Sequence, residues 1–231
     1  MVRERDEPLL GGAQTAGIVR RGAVVVRPRH DRSDYVQAVL RHLEAVGFTG
    51  APRAMGFDAD GREMVSYLAG YVPPRQPYNL TDEQLVSSAM LVRSFHDAIA
   101  GSVLCGDSEI VCHGDLGPHN TVFDGGSAVA IIDWDSDVSP GSRVVDFAHA
   151  VWCCADVTDV GVPVDEQSRR ITLMCAAYGL LRPTDVVDEL ADRFHRARTD
   201  HLNAGRAGAV EVFDGLTRWL TNNRDQLLRR P

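Results

Sequence analysis

Val111-Cys112-His113-Gly114-Asp115-Leu116-Gly117-Pro118-His119-Asn120 runs into Thr121-Val122-Phe123-Asp124-Gly125-Gly126-Ser127, and then into Ala128-Val129-Ala130-Ile131-Ile132-Asp133-Trp134-Asp135. A carboxylate, Asp115, stands five residues before an amide, Asn120, and a second carboxylate, Asp133, ends an apolar run. Segments 121–123 and 128–132 are β-rich and flank an Asp-Gly-Gly-Ser turn, so they read as two strands of a hairpin. Antiparallel pairing would bring Asn120, just before the first strand, beside Asp133, just after the second. Phosphoryl transfer uses a set of this kind. One carboxylate orients and deprotonates a hydroxyl, while an amide oxygen and another carboxylate hold Mg²⁺ on nucleotide phosphates.

Upstream, Ile110-Val111-Cys112 is a short strand feeding this stretch. Before it, Thr81-Asp82-Glu83-Gln84 has the capping-box pattern of a helix start, with Leu85, Ala89, Val92, Phe95, His96 and Ile99 forming its apolar side. His96 reads as a packed helix histidine. Residues 69–77 hold three prolines and a glycine and read as a connector. The first 68 residues read β-β-α-β-β. The strands are 17–20, 23–27, 53–58 and 62–68, and the helix is 33–46, with Ser33 as its cap and Gly47 as its stop. Asp58-Ala59-Asp60-Gly61 is turn chemistry without the remaining ligands of a calcium loop. Downstream the chain reads as helices over about 143–156, 165–178, 183–201 and 207–228, with Gly179 ending the second. A small mixed sheet followed by a mostly helical half makes the fold class α+β. The boundary falls at the connector, giving an N-lobe over 1–70 and a C-lobe over 71–231.

Hydrophobic residues make up 44% of the 231, enough for a sizeable core, and the formal net charge is −8. That balance argues against a nucleic-acid partner and leans towards a cationic or neutral small substrate. The acidic residues available for such a role are Asp185, Asp188, Glu189, Asp192, Glu211 and Asp214. Five cysteines lack framework or zinc spacing and read as reduced thiols of a cytoplasmic protein. Neither a signal peptide nor a membrane-length apolar run is expected.

His113-Gly-Asp115-x-x-x-x-Asn120, an apolar strand and Ile132-Asp133-Trp134-Asp135 together resemble the aminoglycoside phosphotransferase family, small-molecule kinases with the protein-kinase-like fold. Gly61 to Gly70 is similar to that family's last N-lobe strand and hinge, so the resemblance spans most of residues 10–155. It implies a bilobal fold and ATP-dependent phosphoryl transfer (with GTP as the alternative nucleotide) to a hydroxyl of an aminoglycoside-, choline- or amino-alcohol-like molecule. Asp115 would be the catalytic base, and Asn120 and Asp133 the Mg²⁺ ligands. Gly11, Gly12 and Arg27 would lie on the phosphates, and the backbone of Ser66, Tyr67 and Leu68 on the adenine. His113 would be structural, His119 a loop residue near substrate, and Asp135 a support for the metal or substrate side. Asp146 would steady the catalytic loop. Two departures stand out. The strand offers Arg27 where the family has Lys, and the helix offers no clear Glu to pair with it, Asp34 being close and Glu44 too far along. They raise the alternative of a pseudokinase-like binding module.

Overall fold

The computed structural model describes residues 6–9, 17–74 and 78–229. An antiparallel sheet of order β1-β2-β3-β5-β4 forms the N-lobe: β1 Glu7–Pro8, β2 Val19–Arg21, β3 Val24–Arg27, β4 Ala54–Phe57 and β5 Glu63–Ser66. Helix α1, Ser33–Ala45, lies in sequence between β3 and β4. It buries Val36, Val39, Leu40 and Leu43, an i, i+3, i+4, i+7 stripe. The strands and helix fall where the alternation and the 3.6-residue period place them. Two details differ. A two-residue edge strand, β1, joins β2 through Glu7↔Arg20 and Pro8↔Val19, and so short a segment has no period to read. Ser33 is not the cap of α1: Arg32 holds that position without a side-chain bond, and the Ser33 hydroxyl instead donates to Glu63 at 3.1 Å.

Helix α2, Asp82–Ile99, opens with the expected capping box, Thr81 and Gln84 exchanging side-chain-to-backbone bonds at 3.2 and 3.0 Å. Then come β6 Ile110–Cys112, β7 Thr121–Asp124, β8 Ser127–Ile131 and β9 Ser139–Gly141. β9 pairs with β6, a strand not foreseen because its Ser-Pro-Gly sequence is made of strand breakers. Four helices close the chain: α3 Arg143–Cys154, α4 Val164–Tyr178, α5 Pro183–Asn203 and α6 Ala207–Leu227. Gly179 ends α4 in the left-handed conformation, φ +83°.

The core of the helical half is aromatic. Trp134, Phe95, Phe147 and Tyr178 are fully buried. Phe95 meets Trp134 edge-on with centroids 5.0 Å apart, and Phe147 stacks on Tyr178 at 4.1 Å. Each such side chain contributes about 1.5–3 kcal/mol by leaving water. Trp134 therefore nails the end of the β7–β8 hairpin to α2, and with it the carboxylate just before it. The connector is fastened as well. Tyr71 exchanges backbone bonds with Phe123 at 3.0 and 2.7 Å. Gly70 beside it has φ +152°, and a Cβ there would fall 2.4 Å from Val122 Cγ1, so no larger residue fits.

Candidate active site

The β7–β8 register pairs Thr121 with Ile131, and Ile132 N–H donates to the Asn120 carbonyl at 2.8 Å. The hairpin thus does bring Asn120 and Asp133 to one end. Asn120 Nδ2 donates to the Asp115 backbone carbonyl at 2.9 Å and to Asp115 Oδ2 at 3.0 Å. Its amide is therefore fixed with the nitrogen towards the carboxylate, and its Oδ1 remains as a ligand atom. Asp133 sits at φ +64°, a left-handed conformation that a non-glycine residue holds only where its surroundings impose it. Burial and then neighbouring Asp135 push its carboxyl pKa up, against the pull of Arg27. A divalent cation would relieve that crowding. Among the described residues no group of three or more His, Cys, Asp or Glu side chains could hold a metal. The donor set fits Mg²⁺, which takes one or two protein oxygens and shares the rest with phosphates and water.

The loop carrying Asp115 is pinned from behind. Asp146 near the start of α3 is 1% exposed and accepts from His113 N at 2.9 Å, Gly114 N at 2.9 Å and His96 Nε2 at 3.0 Å. Burial works to raise its pKa, but the His96 bond and the surrounding donors hold it below the usual carboxylate range. His96 receives the Tyr178 hydroxyl at Nδ1 (2.7 Å), so this packed histidine also carries part of the loop's support. His113 Nε2 donates to Ile132 O at 3.0 Å, which ties the catalytic loop to the end of β8. Gly114 has φ +88°, and a Cβ there would meet Asp137 O at 2.7 Å.

Around the Asp115 carboxylate stand two imidazoles. His119 Nε2 lies 3.3 Å from Oδ2, its other nitrogen 2.9 Å from the Tyr78 hydroxyl. His149, from α3, faces Oδ1 at 3.5 Å. The His119 hydrogen bond is the largest influence on Asp115. Burial opposes it, the positive ends of the imidazoles add to it, and the carboxyl is held well below its ordinary range. His149 was not foreseen, because it lies 34 residues from Asp115 on a different element. Its only sequence signal is a polar residue inside the apolar Phe147-Ala148-His149-Ala150-Val151 run. Two groups contest its Nδ1: the Arg193 guanidinium at 2.7 Å and the Gly114 carbonyl at 2.8 Å. A guanidinium only donates and a carbonyl only accepts, so Nδ1 serves one of them at a time: with the Arg193 bond made, Nε2–H points at Asp115, and with the Gly114 bond made, Nδ1 carries the proton. Burial and Arg193 push the His149 pKa down to about 4, which keeps this ring neutral.

On the N-lobe side, Arg27 is buried and its Nε donates to Glu63 Oε2 at 3.0 Å. The guanidinium also donates to the Trp134 carbonyl and reaches within 3.6 Å of Asp133 Oδ1. The missing helix glutamate is thus replaced from the sheet. Glu63, fully buried on β5 opposite Arg27, is held by Ser33 at 3.1 Å and by Gln37 Nε2 at 3.0 Å, both from α1. Asp34, the nearer acid in sequence, pairs with Arg29 instead. The signal for Glu63 was available: it shares the inward phase of its strand with Val65. Arg27, Pro28, Arg29 and His30 line one side of a cleft of about 120 Å³, and Asp133, Asp135 and Ser136 the other. Cations from the sheet therefore face the proposed metal ligands, as a polyphosphate requires.

Gly11 and Gly12 lie outside the described residues. Of the hinge donors, Ser66 N–H is already bonded to Arg53 O at 3.0 Å and Tyr67 N–H to Ala23 O at 2.8 Å. Sheet pairing therefore occupies two of the three hinge N–H groups, and among the described residues Leu68 N–H is the one left uncommitted.

Comparison with known proteins gives three findings. Residues 102–190 match the phosphotransferase enzyme family (APH). A trifolitoxin immunity protein from Rhizobium leguminosarum bv. trifolii is 32% identical over 200 residues, covering 77% of this chain and 76% of the relative. Similar solved structures include the GDP complex of an aminoglycoside 2'-phosphotransferase (TM-score 0.65, 12% identity, 96% and 94% of the two chains). A spectinomycin phosphotransferase with ADP and spectinomycin (0.62, 12%, 95% and 93%) and a choline/ethanolamine kinase family protein from Mesorhizobium loti (0.59, 15%, 98% and 89%) are also similar. At these identities the structures report the fold.

Proposed function

The chain belongs to the phosphotransferase enzyme family, and from that premise we propose that it transfers the γ-phosphoryl group of ATP, with Mg²⁺, to a hydroxyl of a small molecule. The observation that carries this reading is the convergence of Asp115, Asn120 and Asp133 at one end of the hairpin, facing Arg27 across the cleft.

In this reading Asp115 accepts a hydrogen bond from the acceptor hydroxyl and aims it at the phosphorus. A carboxylate with so low a proton affinity is a poor base in the ground state. It suits a loose transition state, in which the hydroxyl proton leaves late and positioning supplies most of the rate. Asn120 Oδ1 and Asp133 would hold Mg²⁺, which would supply neutralisation of the phosphate charge when bound. Arg27, set by Glu63, would lie against the phosphates as a fork with several donors. That pair supports the enzymatic reading over a binding-only module, whose motive was the absent Lys and the uncertain Glu. The nucleotide base would dock at the hinge through Leu68. Five free thiols support a reducing compartment such as the cytoplasm. Among the described residues no helix is long and apolar enough to cross a membrane.

The name of the 32% relative adds a biological context: phosphorylating a toxic small molecule would protect a cell from it. The test of the core reading is a thermal-shift titration with Mg²⁺-ATP and Mg²⁺-GTP, followed by coupled ADP-release assays over aminoglycosides, amino-alcohols, sugars and hydroxy acids. At a nucleotide concentration 100-fold above Kd, about 2.7 kcal/mol of stabilisation is expected. No shift at millimolar nucleotide contradicts the proposal.

A further inference from the structure

Cationic acceptors are read by carboxylates, and most of the candidate carboxylates on the last helices are already occupied. Asp185 pairs with Arg182 at 2.8 Å, Asp188 with Arg224 at 2.7 Å, Asp214 with Arg198 at 2.5 Å, and Glu189 with Arg196. Arg193 is the opposite case. It projects from α5 towards α3, it is partly buried, and its guanidinium lies 2.7 Å from His149 Nδ1. Among the described residues no Asp or Glu oxygen lies within ion-pairing distance of it. Burial, the largest influence, lowers its pKa and nearby Arg196 adds to that effect, against the opposing pull of Cys153, Asp146 and Asp115. A guanidinium has five N–H donors in a rigid fork; the His149 ring faces one of them, and the Cys153 thiol lies close enough to favour the charge. Removing such a charge from water without a carboxylate partner is costly, so an incoming oxyanion would meet a site already desolvated for it.

The position decides what the oxyanion belongs to. His149 links Arg193 to Asp115, one nitrogen towards each. A molecule whose hydroxyl sits on Asp115 would place its neighbouring substituent, one imidazole's width away, on the Arg193 fork. The neutral ring stands between the acceptor's anion and the Asp115 carboxylate and keeps the two like charges apart.

We propose that Arg193, with the His149 ring it orients, is the acceptor-recognition subsite, and that the acceptor is a hydroxylated molecule bearing a carboxylate or phosphate group near its reacting hydroxyl. This rests on Asp115 being the base that receives that hydroxyl. Two measurements test it. In the first, ADP release is measured for matched acceptors on common skeletons: hydroxy acids and sugar phosphates against the corresponding amino-alcohols and neutral polyols. Anionic members are expected to have the higher kcat/KM, and the carboxylate and phosphate arms tell the two sources of the oxyanion apart. Arg193→Gln is expected to raise KM for the best anionic acceptor about 10- to 100-fold with kcat little changed, with partial recovery in Arg193→Lys. In the second, the same panel is added to ADP-saturated protein and thermal stabilisation is read, which requires no turnover. Stabilisation of wild type but not of Arg193→Gln by hydroxy acids or sugar phosphates supports the subsite even if no ADP is released. A preference for aminated or neutral acceptors overturns it. So does equal stabilisation of both proteins, or stabilisation of neither.

Discussion

Asp115 lies between two imidazoles, and folding controls the protonation of His149. Its pKa falls from an ordinary 6.5 to about 4 because burial and Arg193 oppose the imidazolium. Between those values the unfolded chain binds a proton that the folded chain does not, so stability should rise with pH across that window. The contribution amounts to about 3 kcal/mol from pH 4 to 6.5. Urea midpoints measured over this range should climb with pH in the wild type and climb less in His149→Gln. Parallel curves would contradict the assignment. Asp115 acts in a separate window: its lowered pKa costs stability only as pH falls through the acid range below an ordinary carboxylate. At this scale the reading from sequence reached the residues that carry recognisable spacing, Asp115, Asn120 and Asp133. It missed His149 and Arg193, which have no motif and meet Asp115 only through the packing of α3 and α5 against the loop.

At the scale of elements, the junction of β3, β5 and α1 is where the chain departs from its relatives' pattern and then compensates. The strand cation is paired from the neighbouring strand, and α1 contributes Gln37 and Ser33 as neutral partners. Gln37 also accepts from Gly56 N at 2.8 Å and donates to Met64 O at 3.1 Å, which fastens α1 across both β4 and β5. Glu63→Gln removes the buried carboxylate that Arg27 Nε donates to and leaves the guanidinium with the more distant Asp133 carboxylate and the Trp134 carbonyl. Breaking a buried pair in this way costs about 3–5 kcal/mol. The expected result is a lower Tm together with a raised KM for the nucleotide, because Arg27 loses its fixed orientation. A variant with unchanged nucleotide KM would show that Glu63 serves stability alone. The elements themselves were legible, since α1, α2 and the β7–β8 hairpin each carry a clean period and clear punctuation. The partner of Arg27 was legible only as the inward strand phase that Glu63 shares with Val65. A search along the following helix looks for local spacing, whereas sheet pairing joins residues 36 apart. The short strands β1 and β9 were invisible for the same reason, since each exists through its partner rather than its own sequence.

Across the whole molecule, the sheet and the helical half meet along one seam. Arg27 bonds to the Trp134 carbonyl, Ile131 N–H bonds to Gly50 O at 2.8 Å, and the connector pairs with β7 at Tyr71 and Phe123. That seam sets cations over the hairpin end, and the buried Trp134 transmits its position to the core. The fold class could be read from the chain because the order of periods, strand-rich and then helical, is a global property. The net charge of −8 says little by itself about substrate, because many of those carboxylates are engaged by arginines on the surface. The central claim is that Asp115 positions and deprotonates an acceptor hydroxyl at this seam. Turnover of Asp115→Asn, measured beside its nucleotide-induced thermal shift, tests that claim most directly. The variant should bind Mg²⁺-ATP with the wild-type shift and lose about 10²- to 10⁴-fold in kcat. Wild-type turnover in the variant would contradict the account.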